Sequence, residues 1–371
     1  MNKTAIIYCE GLLGKVDGKT TDGLIRRSRK YKIVGVIDST KVGEDTGNLI
    51  NGQKNGISVF TSLSHALADL KFIPNYFIYG IAPAQAYLQN YERAIIISAM
   101  QMGLNIINPL QQFLNDDAEF IECKKKFDVS ISDVRKPAKA EDMHLFAGRT
   151  MHIKTPVVVT LGTDSAIGKR TTSILLEEAL IKAGIHAVFI ATGQTSLIQG
   201  ARYGVAVDAI PSQYVIGEIE NEIMKAYDAE HPDIMIVEGQ GAVSHPAYIS
   251  SCGILRGARP GMVIIQHAPK RKCLSDFNFM KMPTIEHEIK IIENFSDAKV
   301  VAITINHEDM TDSEVLIAIK YYEKTLKIPV TDVLKYGCDK LIASLRLNKH
   351  NKGLANNLDI FNQKKCAYNC N

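Results

Sequence analysis

The amino-acid sequence predicts an α/β protein with two tandem domains, each built on a parallel β-sheet. Short apolar segments rich in β-branched residues alternate with longer amphipathic segments along the chain. This alternation is typical of βα units whose helices cover both faces of a parallel sheet. It breaks down over 126–154, where the sequence is charged and weakly periodic. We therefore expect a first domain at 1–125, a linker at 126–154 and a second domain at 155–371, which suits the length of the chain.

The first domain is expected to contain four buried strands and three helices. The strand segments are short and apolar, whereas the helical segments are longer and amphipathic, which separates the two types. No clean GxGxxG sequence follows the first strand, so this sheet alone gives little support for a bound dinucleotide. The predicted strands are 4–8, 32–38, 75–80 and 104–109, and the predicted helices lie near 20–30, 62–70 and 89–102.

The second domain is expected to contain five further strands with helices between them. In open α/β sheets, ligands bind at the carboxyl ends of the strands, where loops lead into helices. Candidate functional residues are therefore sought in those loops. The predicted strands are 156–162, 186–193, 233–239, 261–267 and 299–306, and the predicted helices lie near 168–184, 215–228, 285–295 and 311–326.

The composition is that of a globular protein, with 46% hydrophobic and 22% charged residues. The net charge is only +3 and no basic run with interleaved aromatic residues occurs, which argues against nucleic-acid binding. No apolar window of about 18 residues is present, which argues against a membrane span. We expect a cytoplasmic homo-oligomer that acts on a small molecule. Seven cysteines without a CxxC pair indicate reduced thiols: Cys9, Cys123, Cys252, Cys273, Cys338, Cys366 and Cys370.

The segment LGTDSAIGKRTTS (161–173) follows a predicted strand and opens a predicted helix. Its two glycines and its lysine are typical of a phosphate-binding loop, although five residues separate the glycines where four are usual. In such a loop, backbone N–H groups, the helix dipole and the lysine all face the anion. The predicted phosphate contacts are Gly162, Thr163, Asp164, Ser165, Ala166, Ile167, Gly168 and Lys169.

The residue after the lysine distinguishes phosphate binding from phosphoryl transfer. In nucleotide hydrolases it supplies a hydroxyl to Mg²⁺, but here it is Arg170, which cannot bind a cation. Thr171 comes next, but one step along a helix rotates a side chain by about 100°. Thr171 would replace the missing hydroxyl only if the helix began elsewhere. Arg170 and Thr171 are therefore predicted to contact phosphate, with no metal bound.

The apolar run IMIVE (234–238) ends in Glu238, in the manner of a Walker-B strand. Glu238 would contact magnesium or act as a general base; the alternative is a carboxylate that caps the following turn. Gly239 and Gly241 would let the backbone approach a ligand and present N–H groups to an oxyanion. His245 follows on the same loop. The candidate catalytic residues are Glu238, His245 and Lys169.

Two further loops at strand ends carry candidate substrate contacts. The loop ATGQTSLIQGARYG (191–204) is rich in glycine and polar residues, and QHAPKRK (266–272) is either an anion clamp or a solvated basic loop. Asn306 ends a strand, where it would recognise a base or cap a turn. The predicted substrate contacts are Thr192, Gln194, Thr195, Arg202, His267 and Arg271, and Asn306 is assigned to the cofactor.

These motifs resemble those of known P-loop enzymes. GTDxxxGK (162–169) followed by VEGxG (237–241) is similar to the pattern of dethiobiotin synthetase. Together, DVRKP (133–137), ATGQT (191–195) and VEGQGAVSHPAY (237–248) resemble a two-domain bacterial family, long uncharacterised, whose described members are D-glutamate N-acetyltransferases that use acetyl-CoA. The resemblance extends over essentially the whole chain. It implies a Rossmann-like sheet followed by a P-loop NTPase-like sheet.

Three functions remain open from the sequence. The resemblance implies an N-acetyltransferase in which the P-loop holds the phosphates of coenzyme A and Lys169 and Arg170 counter their charge. The alternative is an ATP- and Mg²⁺-dependent ligase or kinase-like enzyme, in which Thr171 and Glu238 bind the metal; Glu238 favours it and Arg170 opposes it. The third is a nucleotide-binding regulator without catalysis.

Overall fold

The structure is a computed structural model that describes residues 3–82 and 87–347. It contains sheets of six and seven strands and a separate two-stranded hairpin. The described residues form two compact units: the first comprises those up to 149 together with 190–225, and the second comprises 150–189 together with 226–347. No helix among the described residues is long and apolar enough to span a membrane.

The first sheet is parallel, and its order β3-β2-β1-β4-β5-β6 reverses direction between β1 and β4. Such a reversal opens a crevice at the carboxyl ends of the two strands. Its strands are β1 (Thr4–Tyr8), β2 (Lys32–Ile37), β3 (Val59–Phe60), β4 (Tyr76–Tyr79), β5 (Asn105–Asn108) and β6 (Ile131–Asp133). Its helices are α1 (Lys19–Arg26), α2 (Thr46–Asn51), α3 (Leu63–Leu70), α4 (Asn90–Gln101) and α5 (Ala118–Lys126).

Asp38, at the end of β2, fixes the loop that leads from β1 to α1. Its buried carboxylate accepts the backbone N–H groups of Leu13 (3.2 Å) and Thr40 (3.0 Å) and the hydroxyl of Thr40 (2.6 Å). Burial alone would raise the pKa of Asp38, but the bonds from Thr40, Gly11 and Leu13 outweigh it and lower that pKa. The carboxylate is therefore occupied by the protein's own backbone, in a position where dinucleotide-binding sheets contact a ribose.

In the second sheet, β7 lies between β11 and β10, in the order β15-β14-β11-β7-β10-β8-β9. Its strands are β7 (Val157–Gly162), β8 (Ala187–Ala191), β9 (Tyr203–Gly204), β10 (Ile234–Glu238), β11 (Met262–His267), β14 (Lys299–Ile305) and β15 (Val330–Thr331); β12 (Cys273–Leu274) and β13 (Phe277–Lys281) form the hairpin. The helices are α6 (Lys169–Lys182), α7 (Gln194–Gln199), α8 (Ser212–Glu230), α9 (Ser250–Ala258), α10 (Ile285–Phe295), α11 (Asp312–Leu326), α12 (Val333–Tyr336) and α13 (Asp339–Ser344).

All nine predicted strands are present within about two residues of their expected bounds, and the α/β fold class is confirmed. The central strands are fully buried, as in β7, because helices cover both faces of the sheet. The sequence analysis missed the strands of two or three residues and the hairpin. One of them, β6, lies within the predicted linker and pairs with β5 at the edge of the first sheet. Cys366 and Cys370 lie outside the described residues.

Candidate active site

The loop 163–168 connects β7 to α6 and has the conformation of a phosphate-binding loop. Ala166 (φ +50°) and Gly168 (φ +106°) both adopt the left-handed region, which turns neighbouring backbone N–H groups into a concave nest. A side chain at Gly162 would clash, because a Cβ atom there would lie 2.9 Å from the carbonyl oxygen of Gln266. Both glycines are thus required by geometry, and the nest adjoins the N-terminus of a 14-residue helix.

Helix α6 begins at Lys169, where the sequence predicts it. Arg170 therefore occupies the position at which hydrolases place the magnesium ligand. Thr171 points about 100° further around the helix, and Thr172 is buried, with its hydroxyl donating to Gln266 Oε1 at 2.6 Å. Because α6 starts at Lys169, the hydroxyl of Thr171 is not shifted into the position that Arg170 occupies.

Lys169 is buried, and its ammonium group donates a hydrogen bond to the backbone oxygen of Asp164 across the loop. A buried ammonium group beside an N–H nest makes the interior of the loop electropositive. The loop therefore offers an anion fixed groups of positive potential.

Asp164 is the hub of the network that holds the loop. Its buried carboxylate accepts the N–H groups of Ser165 (2.7 Å) and Ser275 (2.9 Å) and forms an ion pair with Arg271 (2.8 Å). Arg271 also pairs with Glu308 and donates to the carbonyl oxygen of Ser165 at 3.0 Å. Two carboxylates balance the charge of this guanidinium group, so the geometry favours a role for Arg271 in bracing the loop over a role in clamping the substrate.

His267, the other predicted anion contact in that loop, is buried with both ring nitrogens engaged. Nδ1 lies 2.9 Å from the hydroxyl of Thr163 and Nε2 lies 3.0 Å from the hydroxyl of Tyr322. Burial lowers the pKa of His267 to about 4. The ring is therefore neutral near pH 7, and it positions Thr163 without contributing positive charge.

Asn306 braces the same loop. Its Nδ2 group donates to the carbonyl oxygen of Ile167 at 2.9 Å, and its Oδ1 accepts the N–H of Glu308 at 2.9 Å. Of the two roles predicted for Asn306, the geometry supports turn capping and adds a direct link to the P-loop.

Glu238 ends β10 beside β7 and is buried. The glycine that follows it is required by the sheet, because a Cβ atom at Gly239 would lie 2.2 Å from the carbonyl oxygen of Thr160. The backbone at Gly239 lies close to the neighbouring strand β7. The expected approach of a ligand to Gly239 and Gly241 stays a prediction.

His245 lies on the loop after β10 and is buried between aromatic rings. Tyr248 stacks on it at 4.5 Å and Phe277 lies at 5.9 Å. Burial lowers the pKa of His245; Asp164 and Asp276 act in the opposite direction, and Lys169 acts in the same direction as burial. The structure thus places His245 in the electrostatic environment of the P-loop.

Glu288, on α10, was missed by the sequence analysis and fixes the loop that carries His245. Its buried carboxylate accepts the N–H groups of Val243 and Ser244 and the hydroxyl of Ser244 at 2.6 Å. Burial raises the pKa of Glu288 despite these bonds. About 50 residues separate it from Glu238, so no local pattern connects the two.

The turn of the β12–β13 hairpin was also missed, although it lies against the P-loop. The hydroxyl of Ser275 lies 2.6 Å from that of Ser165. Asp276 accepts the hydroxyl of Ser165 at 3.1 Å and the hydroxyl of Tyr248 at 2.9 Å. The sequence shows only that Ser275 and Asp276 are adjacent polar residues, which does not indicate a site.

The remaining predicted substrate contacts belong to the first compact unit. Thr192, Gln194 and Thr195 are buried, whereas Arg202 is exposed and lies over the ring of Tyr203. Thr195 shares a hydrogen bond of 3.0 Å with Thr20, so the ATGQT segment (191–195) contacts α1. The predicted roles of these residues in substrate binding stay predictions.

Two family models match the chain. A Rossmann-like domain of unknown function, DUF1611_N, matches residues 39–137, and a P-loop domain of unknown function, DUF1611_C, matches residues 144–342. The chain belongs to the DUF1611 family. A crystal structure of a DUF1611 family protein from Anabaena variabilis has a TM-score of 0.86 and 26% identity, covering 94% of this chain and 100% of that one.

Two relatives in this family carry a functional name. A D-glutamate N-acetyltransferase of a Pseudoalteromonas species is 30% identical over 78% of this chain and 88% of its own length. A D-glutamate N-acetyltransferase of Tritonibacter scottomollicae is 24% identical over 72% of this chain and 80% of its own length.

The pH dependence of stability tests the environment of His267. The unfolded ring titrates near pH 6.5 and the folded ring near 4, so the neutral folded form loses stability as pH falls through this window. We expect a loss of about 3 kcal/mol in the free energy of unfolding between pH 7 and 4. Urea unfolding at several pH values gives this free energy as a function of pH, and its decrease with falling pH should be smaller for His267→Asn than for the wild type. An equal decrease in the two proteins would contradict the lowered pKa of His267.

Removal of Glu288 tests its role in fixing the His245 loop. Glu288→Ala leaves the N–H groups of Val243 and Ser244 without their acceptor, and we expect it to cost about 2 kcal/mol in urea unfolding. Lys290→Ala, at an exposed position of α10, is the control and should change stability by less than about 0.5 kcal/mol. Equal effects of the two substitutions would count against the role.

Proposed function

We propose that this protein is an acetyl-CoA-dependent N-acetyltransferase that acts on a small acidic amino acid such as D-glutamate. The observation that carries the proposal is the conformation of the loop, with Ala166 and Gly168 in the left-handed region before α6, together with Arg170 in place of the magnesium-binding hydroxyl. A nest without that hydroxyl suits phosphates that are held and not transferred. The names of the two relatives supply the acceptor class.

In this proposal the P-loop binds the phosphates of coenzyme A, with Lys169 inside the loop opposite their charge. The amine nitrogen of the amino acid attacks the carbonyl carbon of the thioester, a C–N bond forms, and the C–S bond breaks to release coenzyme A. The amine must lose a proton during this reaction. Glu238, buried at the tip of β10, is the proposed acceptor of that proton.

Binding experiments with Lys169→Ala test the proposal directly. We expect calorimetry to show acetyl-CoA binding that does not require Mg²⁺ and that weakens at least tenfold in the variant, since a charge-assisted contact to phosphate is lost. Lys182→Ala, at the exposed end of the same helix, is the matched control and should bind as the wild type does. Mg²⁺-dependent binding of ATP, with no response to acetyl-CoA, would instead support the ligase or kinase-like function.

The role of Glu238 predicts a separation of binding from catalysis. Glu238→Gln should lower kcat for acetylation of D-glutamate by a factor of about 10² to 10⁴, because the amide cannot accept the proton. The affinity for acetyl-CoA should stay within about twofold of the wild type. Asp228→Asn makes the same chemical change at an exposed position and should leave both quantities unchanged. An unchanged kcat for Glu238→Gln would exclude Glu238 as the base.

A further inference from the structure

Hydrogen-bond donors converge on one carboxylate oxygen beside the P-loop. Oδ2 of Asp276 accepts the hydroxyl of Tyr248 at 2.9 Å and the hydroxyl of Ser165 at 3.1 Å. The same oxygen lies 4.0 Å from Nε2 of His245. These three groups, Ser165, His245 and Tyr248, are called the donor cluster below.

The ring of His245 is oriented so that Nε2 carries the proton. Nδ1 accepts the backbone N–H of Ala247 at 3.3 Å, which makes it the unprotonated nitrogen of the neutral ring. Burial lowers the pKa of His245 and thus favours this neutral form. Nε2–H is therefore a donor, and a base at this position would need the opposite tautomer.

This donor has no hydrogen-bond partner among the described residues. The side chain of His245 is completely buried, with 0% exposure. A buried N–H donor without an acceptor is destabilising, and the carboxylate oxygen of Asp276, at 4.0 Å, lies beyond hydrogen-bonding distance. A ligand oxygen that came closer to Nε2 than the Asp276 carboxylate would accept this hydrogen bond.

We propose that the donor cluster receives one anionic oxygen of the bound ligand, and that Asp276 holds its place in the free protein. The inference rests on the proposed function for the identity of the ligand, but not for the presence of the anion site. Asp276 suits the part of a stand-in because it carries the required charge, is 38% exposed, and lies in a two-residue turn of the hairpin.

The charges nearby explain why the carboxylate and a ligand anion exclude each other. Lys169 and the nest attract negative charge, but the carboxylate of Asp164 already lies at the loop and is paired with Arg271. The carboxylate of Asp276 and a ligand anion in the same space would repel each other and Asp164. When the ligand binds, the turn must therefore withdraw Asp276 and release Ser165 and Tyr248 to the ligand oxygen.

The anionic oxygen belongs either to a phosphate of the cosubstrate or to a carboxylate of the acceptor. Calorimetric titration of the full-length protein with inorganic pyrophosphate, coenzyme A and D-glutamate separates the two. Asp276→Ala should tighten the binding of the matching ligand by roughly five- to tenfold, because the competing anion is gone. Asp276→Asn keeps the shape of the side chain without its charge and should tighten binding by a smaller factor.

Variants of His245 test the donor itself. His245→Ala should weaken the same ligand about tenfold, whereas His245→Gln, which keeps an N–H donor near Nε2, should stay within about threefold of the wild type. Rescue by Gln would not follow if the ring acted as a base. Asn278→Ala, at an exposed position of the same hairpin, is the matched control and should not change any affinity.

The outcomes assign the site or overturn it. Tighter binding of pyrophosphate and coenzyme A by Asp276→Ala identifies a phosphate subsite, and tighter binding of D-glutamate alone identifies a carboxylate subsite. Weaker or unchanged binding of all three ligands would overturn the proposal and make Asp276 a positioning partner of His245. Because pyrophosphate binding requires no acetyl transfer, failure of the proposed function would leave this result interpretable.

Discussion

The buried carboxylate of Asp164 is the constraint on which the site depends. A carboxylate removed from water must be paired and hydrogen-bonded, or it gives up its charge. Asp164 satisfies this requirement with the guanidinium group of Arg271 and the N–H groups of Ser165 and Ser275. These partners come from the P-loop itself, the loop after β11 and the hairpin. One buried charge thus ties three segments together around the phosphate nest.

This network explains how the basic residues near the nest are used. Arg271 is balanced by Asp164 and Glu308, and His267 is kept neutral by burial. Lys169 remains inside the loop, and its position beside the N–H nest gives the loop its positive potential. Lys169 and the backbone N–H groups thus line the inside of the loop, whereas Arg271 and His267 hold its shape.

A second buried carboxylate, Glu288, acts on the other side of the site. It accepts hydrogen bonds from Val243 and Ser244, and the next residue, His245, stacks on the ring of Tyr248. The two carboxylates differ in function because of their partners. Asp164 is paired with a cation, whereas Glu288 receives only neutral donors and has a raised pKa. Both place polar groups at fixed positions around the nest, which preorganises it for an anion.

The sequence by itself determined the fold class and the phosphate loop. Strands such as β7 and β10 are continuous apolar runs, and the glycines, Lys169 and Arg170 of the loop follow from local geometry, so a short segment contains all the necessary information. Strands such as β6, with three residues, form because a neighbouring strand offers them an edge, and periodicity cannot reveal them.

Only the tertiary structure decided which polar residues brace the phosphate loop. Arg271 and His267 resembled an anion clamp in sequence, but their partners lie up to about a hundred residues away and neutralise or bury them. Glu288 and Asp276 had no motif, and they lie at the site because α10 and the hairpin pack there. Burial and pairing depend on contacts between distant segments, and these contacts set the charge state and the role of each side chain.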